Sequence, residues 1–101
     1  MGKRLDLQEL LVSVSGTDNV YFQPPPTVKM QYPCVVYHRD YEQINHADDI
    51  PYMRRRRYMV VVIDKDPDSV IIDKISELPL CEYDRFYTMD NLNHDVYKLF
   101  F

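Results

Sequence analysis

Three stretches of this sequence carry side chains that catalysis or metal binding draws on. His46-Ala47-Asp48-Asp49 sets an imidazole beside two carboxylates, donor types that a divalent metal accepts. No second local His or Cys completes a ligand set, and the stretch lies in a polar connector, so it reads as a solvated hairpin tip. Asp64-Lys65-Asp66-Pro67-Asp68 starts like a calcium loop. It lacks the Gly at loop position six and the Glu at position twelve that make the turn and the bidentate contact. Lys65 also puts a positive charge among the acids, so the stretch reads as a strand exit followed by a helix start. Asn91-Leu92-Asn93-His94-Asp95 holds a His next to an Asp, a pair that can orient a general base. No Ser or Cys stands in a strained turn or Gly-rich loop to serve as its nucleophile, so Asn and Asp side chains bracing a turn are the simpler reading. With Gly2 and Gly16 the only glycines, a phosphate-cradling loop is excluded. No catalytic residue, metal ligand or cofactor site is expected.

The sharpest electrostatic feature is Arg54-Arg55-Arg56-Arg57. On a strand, four consecutive residues point to both faces, so they cannot all meet one surface. Three roles stay open. The run can keep a hairpin stem soluble. It can pair across subunits with carboxylates such as Glu42, Asp48 and Asp49, since the guanidinium fork suits bidentate ion pairs. Or it can contact nucleic acid. Cys34 and Cys81 sit in apolar, strand-like runs without C-x-x-C spacing. Two reduced, buried thiols are expected; a disulfide stays open if their strands pair.

These groups must be held by a framework, and hydrophobic periodicity outlines it. Residues 3–15 place Leu7, Leu10, Leu11 and Val14 at i, i+3, i+4 and i+7, one stripe of a helix. Gly16 can take the left-handed conformation that ends it. Val20-Tyr21-Phe22-Gln23 is a short strand, stopped by Pro24-Pro25-Pro26, a stiff connector. Residues 34–41 form a second strand with Val35, Tyr37, Arg39 and Tyr41 on one face and Cys34, Val36 and His38 on the other. Residues 57–64 form the third and most hydrophobic strand, placed centrally; the polar stretch 43–56 makes these two a hairpin with an extended tip. Ile71, Ile75 and Leu78 recur at helical spacing, and Pro79 ends that element. Residues 81–88 and 94–101 are two further strands around a turn at Asp90-Asn91. In the last, Val96, Lys98 and Phe100 face one way and Tyr97, Leu99 and Phe101 the other, and the two terminal Phe residues predict a docked end. The expected fold is α+β: one domain over residues 1–101, order αβββαββ, with a mostly antiparallel sheet of four to five strands and two helices on one face.

Composition bounds the function classes. The 101 residues suit one domain with a thin core. At 46% hydrophobic and 28% charged, the chain has the composition of a globular domain. A net charge of −4 argues against a general nucleic-acid binder. The basic start Met1-Gly2-Lys3-Arg4 runs into Leu5-Asp6-Leu7-Gln8-Glu9, which breaks any signal-peptide core, and no run reaches the length of a membrane helix. Nine Tyr, four Phe and no Trp suit half-exposed strands and wet subunit contacts.

Taken together, several stretches resemble a known family. They are Lys3-Arg4-Leu5-Asp6-Leu7-Gln8-Glu9-Leu10-Leu11, Asn19-Val20-Tyr21-Phe22-Gln23-Pro24-Pro25, Tyr32-Pro33-Cys34-Val35-Val36-Tyr37, His46-Ala47-Asp48-Asp49 with Pro51-Tyr52, Val62-Ile63-Asp64-Lys65-Asp66-Pro67-Asp68-Ser69, and Asp90-Asn91-Leu92-Asn93-His94-Asp95-Val96. The series resembles the tail-completion (tail-terminator) proteins of long-tailed bacteriophages and prophages, over nearly the whole chain. It departs from that pattern at Val70-Ile71-Ile72, where a Pro is common, which leaves the start of the second helix open. The resemblance implies a ring, typically hexameric, on the head-proximal end of the tail tube. It implies the tube protein and the head connector as partners, DNA passing through the ring without specific binding, and assembly in the bacterial host cytoplasm. No cofactor or enzymatic activity is implied. Within that expectation Glu42, Asp48, Asp49, Arg54, Arg55, Arg56 and Arg57 are the candidate interface residues.

Overall fold

A computed structural model of the protein describes residues 4–40 and 57–101. Its elements are α1 (Arg4–Ser15), β1 (Val20–Phe22), β2 (Cys34–Arg39), β3 (Arg57–Asp64), α2 (Val70–Ser76), β4 (Cys81–Met89) and β5 (Leu92–Phe100). They build an α+β fold around one five-stranded sheet in the order β1-β2-β3-β5-β4. β1 runs parallel to β2; the other neighbours are antiparallel. The strand with the longest apolar run, β3, is the middle one, as its sequence predicts.

Both helices lie on one face. Leu7 and Leu11 of α1 and Ile71 and Ile75 of α2 are buried against Val35, Tyr37, Val60, Val62 and Leu99. Each such side chain removed from water contributes roughly 1.5–3 kcal/mol. Gly16 stops α1 at φ 73°, and its N–H donates to the Val12 carbonyl (3.0 Å). The start of α2, left open by the missing Pro, is set by Ser69, whose buried hydroxyl accepts from the Ile71 N–H (3.3 Å). α1 is tied to the sheet by a polar clasp. The Tyr37 hydroxyl donates to Gln8 Oε1 (2.6 Å), and Gln8 Nε2 donates to the Val20 carbonyl (3.1 Å).

The opposite face carries a second, smaller cluster. Cys34, Val61, Ile63 and Val96 are buried there, with Met30 packed against them. Met30 belongs to the segment 23–33, which carries the chain from the end of β1 back to the start of parallel β2. This explains why β3 is apolar on both faces.

Several boundaries differ from the sequence reading. β5 begins at Leu92, two residues early, and β4 continues to Met89. Asp90 and Asn91 form a two-residue turn with φ 55° and 62°, a mirror-image turn whose twist matches the strands and lets pairing run to the turn itself. β2 ends at Arg39. At the chain end, Phe101 packs on the helix-side core while Phe100 lies on the other face and stays exposed, so one ring is docked and one is not. The tyrosines also divide: Tyr37, Tyr58 and Tyr97 are core residues, whereas Tyr32 and Tyr83 are exposed.

Candidate functional site

Among the described residues, the groups singled out for chemistry do not converge. His94 and Asp95 are adjacent on β5, so their side chains leave opposite faces of the sheet. His94 stacks on Tyr87 (centroids 4.6 Å apart), with Nδ1 3.1 Å from the Leu92 carbonyl oxygen. Asp95 lies on the helix side, where it accepts from the Tyr83 hydroxyl (3.3 Å). The acids after β3 serve the backbone: Asp64 Oδ1 accepts from the Asp66 N–H (3.0 Å), and Asp66 Oδ1 accepts from the Asp68 N–H (2.9 Å). Asn93 Nδ2 donates to the carbonyls of Asp64 and Lys65 (both 3.2 Å), locking this exit to β5. Among the described residues no group of three or more His, Cys, Asp or Glu could hold a metal ion.

The thiols are likewise held apart. Cys34 is on β2 and Cys81 on β4, with β3 and β5 between them, a separation of three strand spacings or roughly 14 Å. They also lie on opposite faces, Cys34 in the smaller cluster and Cys81 against the helix-side core. A disulfide needs Cα atoms within about 7 Å, so the two are free thiols. Burial, with Asp64 adding to it, pushes the Cys34 thiol up to about 12. Burial raises Cys81 too, although that side chain is only half-buried. Neither has the lowered pKa of a nucleophilic cysteine.

Of the candidate interface residues, Glu42, Asp48, Asp49, Arg54, Arg55 and Arg56 lie outside the described residues, as does His46. Arg57 opens β3, and its Nε pairs with Asp40 Oδ2 of its own chain (3.0 Å). The Asp40 N–H also donates to the Arg57 carbonyl (2.9 Å), so this pair closes the described end of the β2–β3 ladder.

What the structure does expose is a set of apolar side chains along the β4 edge, Tyr83 and Phe86 on the helix-side face and Leu80 and Met89, opposite Phe100 and Leu92, on the other. Among the described residues this strand has one hydrogen-bonded neighbour, β5, and is the longer of the two sheet edges. Leu80 (48%), Tyr83 (52%), Phe86 (50%) and Met89 (57%) are about half exposed along it. A bulge between Tyr83 and Arg85 breaks the alternation. Tyr83 opposes Tyr97 and Phe86 opposes Asp95, so both rings emerge on the helix-side face although they are three residues apart. Tyr83 meets Tyr97 edge-on at 5.3 Å. Beneath the two rings, Asp95 is 7% exposed. Its carboxyl pKa is raised, mainly by burial; the Tyr83 hydroxyl and His94 pull it back in part. Two depressions, lined by residues 67–73 and by residues 88–93, are shallow and open. The sequence reading of residues 81–88 as a strand did not include this bulge, for which the three-residue spacing of Tyr83 and Phe86 is the visible signal.

Comparison with protein-family models, with curated proteins and with solved structures finds no match to this chain.

Proposed function

We propose that the chain is a structural assembly protein, a subunit of the ring that caps the head-proximal end of a phage tail tube. In that role it ends tube polymerisation and joins the tail to the head connector. The reading starts from the resemblance of its sequence motifs. The observation that carries it furthest is how those motif residues are employed. Val20–Phe22 pairs with β2, the acids of residues 64–68 hold backbone turns, and Asp90-Asn91 turns the hairpin. Their work is to shape a scaffold, which suits a protein acting through its surface and transforming no substrate. Its partners are further copies of itself, six in the typical ring, the tube protein on one side and the connector on the other. The charged residues from Glu42 to Arg57 offer one heterologous patch, and a ring closes when two different patches on each copy complement each other. A net acidic chain also avoids gripping the DNA that passes through.

The test is electron microscopy of particles made without this protein, where over-long tubes are expected. Tubes of normal length without heads would replace this reading with the nearest alternative, a head-closure or adaptor subunit. Replacing Arg55 and Arg56 by Glu should weaken tail joining without unfolding the chain; joining at wild-type yield would remove the charged segment from the interface. A nucleic-acid-binding regulator would use the Arg run instead. It would announce itself as steeply salt-dependent retardation of DNA by the purified chain.

A further inference from the structure

The backbone of β4 has a symmetry that its sequence does not display. At one end the Phe100 N–H donates to the Leu80 carbonyl (3.0 Å), so Leu80 faces β5. Alternation along an antiparallel ladder then turns the N–H and C=O of Cys81 and Tyr83 away from the sheet. At the other end Met89 and Leu92 flank the two-residue turn and form its closing hydrogen-bonded pair. Counting back, Thr88 and Phe86 turn outward. In a regular strand these two phases would belong to one alternating series. Here the bulge inserts Asp84 between them, and the outward set becomes residues 81, 83, 86 and 88, mirrored about a point between Asp84 and Arg85. The extra residue also restores the side-chain faces: Cys81, Tyr83, Phe86 and Thr88 oppose Leu99, Tyr97, Asp95 and Asn93, all on the helix side.

We propose that the β4 edge docks a second copy of this chain, antiparallel, about a twofold axis between Asp84 and Arg85. In that register Tyr83 of one copy meets Phe86 of the other, twice, and Cys81 meets Thr88. Asp84 comes beside Arg85 of the second copy, again twice, so the charges at the centre are complementary. Aromatic and opposite-charge pairs are the cross-strand contacts that stabilise antiparallel strands. The other sheet edge is unsuited to such pairing. β1 is three residues long and runs almost directly into Pro24-Pro25-Pro26, which lack N–H donors. Exposed edges are commonly blunted by a bulge or a charge. Here the bulge and the charges fit a copy of themselves. The inference goes beyond the tail-cap reading: a twofold contact closes on itself and does not propagate around a cyclic ring, so it describes the free chain.

Charge reversal tests it. By sedimentation velocity the full chain should shift from monomer to dimer as concentration rises. Asp84→Arg or Arg85→Asp alone should weaken that equilibrium about tenfold, and the two together should restore it, because the pairing is reciprocal. Thr88→Cys should give a disulfide-linked dimer with native Cys81 under oxidised glutathione, and Cys81→Ser combined with Thr88→Cys should give none. Circular dichroism checks that each variant is folded. A chain that stays monomeric and uncrosslinked, or a dimer indifferent to the single reversals, overturns the proposal and leaves the tail-cap reading untouched.

Discussion

Tyr37→Phe is the most informative change to the framework. The Tyr37 side chain is fully buried on the helix-side face of β2, and its ring sits 4.9 Å from Phe22 and 6.1 Å from Tyr58. Phenylalanine keeps that packing, so the substitution isolates the hydroxyl. What is lost is the 2.6 Å bond to Gln8 Oε1, with it the connection from β2 through Gln8 to the Val20 carbonyl, and the hydrogen bond that Arg4 makes to the same hydroxyl; the cycle with Gln8 separates the first from the last. A typical intramolecular hydrogen bond contributes about 1 kcal/mol net, and a partner left buried adds to the loss. Gln8 is half-buried, so water can reach part of the orphaned amide and the penalty sits low in its range. The expected loss is about 1–2 kcal/mol, a fall in Tm of about 4–8 °C for each kcal/mol in a domain of this size. Urea titration measures it, and a double-mutant cycle with Gln8→Ala assigns it. A coupling energy indistinguishable from zero would mean that the clasp does not hold α1 to the sheet.

Three further outcomes follow from local features. Asp95 has a raised folded-state pKa, so wild-type stability should fall as pH rises from about 4, the ordinary Asp value, through the folded-state value. Asp95→Asn should lack that fall, and denaturant titrations whose difference between the two chains does not change with pH would contradict it. Leu80 is half exposed with φ 58°, a conformation that costs a side chain with a Cβ roughly 1–2 kcal/mol; Leu80→Gly should raise the urea midpoint, and a lowered midpoint would show that the leucine contacts outweigh the strain. Ser69→Ala removes the α2 cap and should cost about 1 kcal/mol in the same assay, with an unchanged midpoint counting against the cap.

The parts of the fold legible in the sequence were those with a strong period or a chemically explicit stop. Leu7, Leu11, Ile71 and Ile75 announced helical faces, and Gly16 and Asp90-Asn91 announced ends. The apolar run Val60–Ile63 announced a central strand. The parallel pairing of β1 with β2 was not legible, because three residues carry no register information and the Pro-rich return path has no periodicity. The site was less legible than the fold. Proximity in sequence suggested a His94–Asp95 pair, but adjacent strand residues point apart. That Tyr83 and Phe86 share one face of β4 depends on an inserted residue, which local pattern reading treats as noise. The polar stretch from Glu42 to Arg56 lies outside the described residues, so its candidate contacts are proposals drawn from charge alone.

The order of strands has a consequence for how the chain is made. β5 comes last along the polypeptide yet lies second from the edge, zipped between β3 and β4. Until Leu92 and the residues after it have left the ribosome, β3 has no neighbour on one side, and its Val60–Ile63 run is an open edge of high β-propensity. Such a segment is a template for intermolecular pairing. Slow codons or stalling within β5 should therefore lower soluble yield more than the same delay placed within α1.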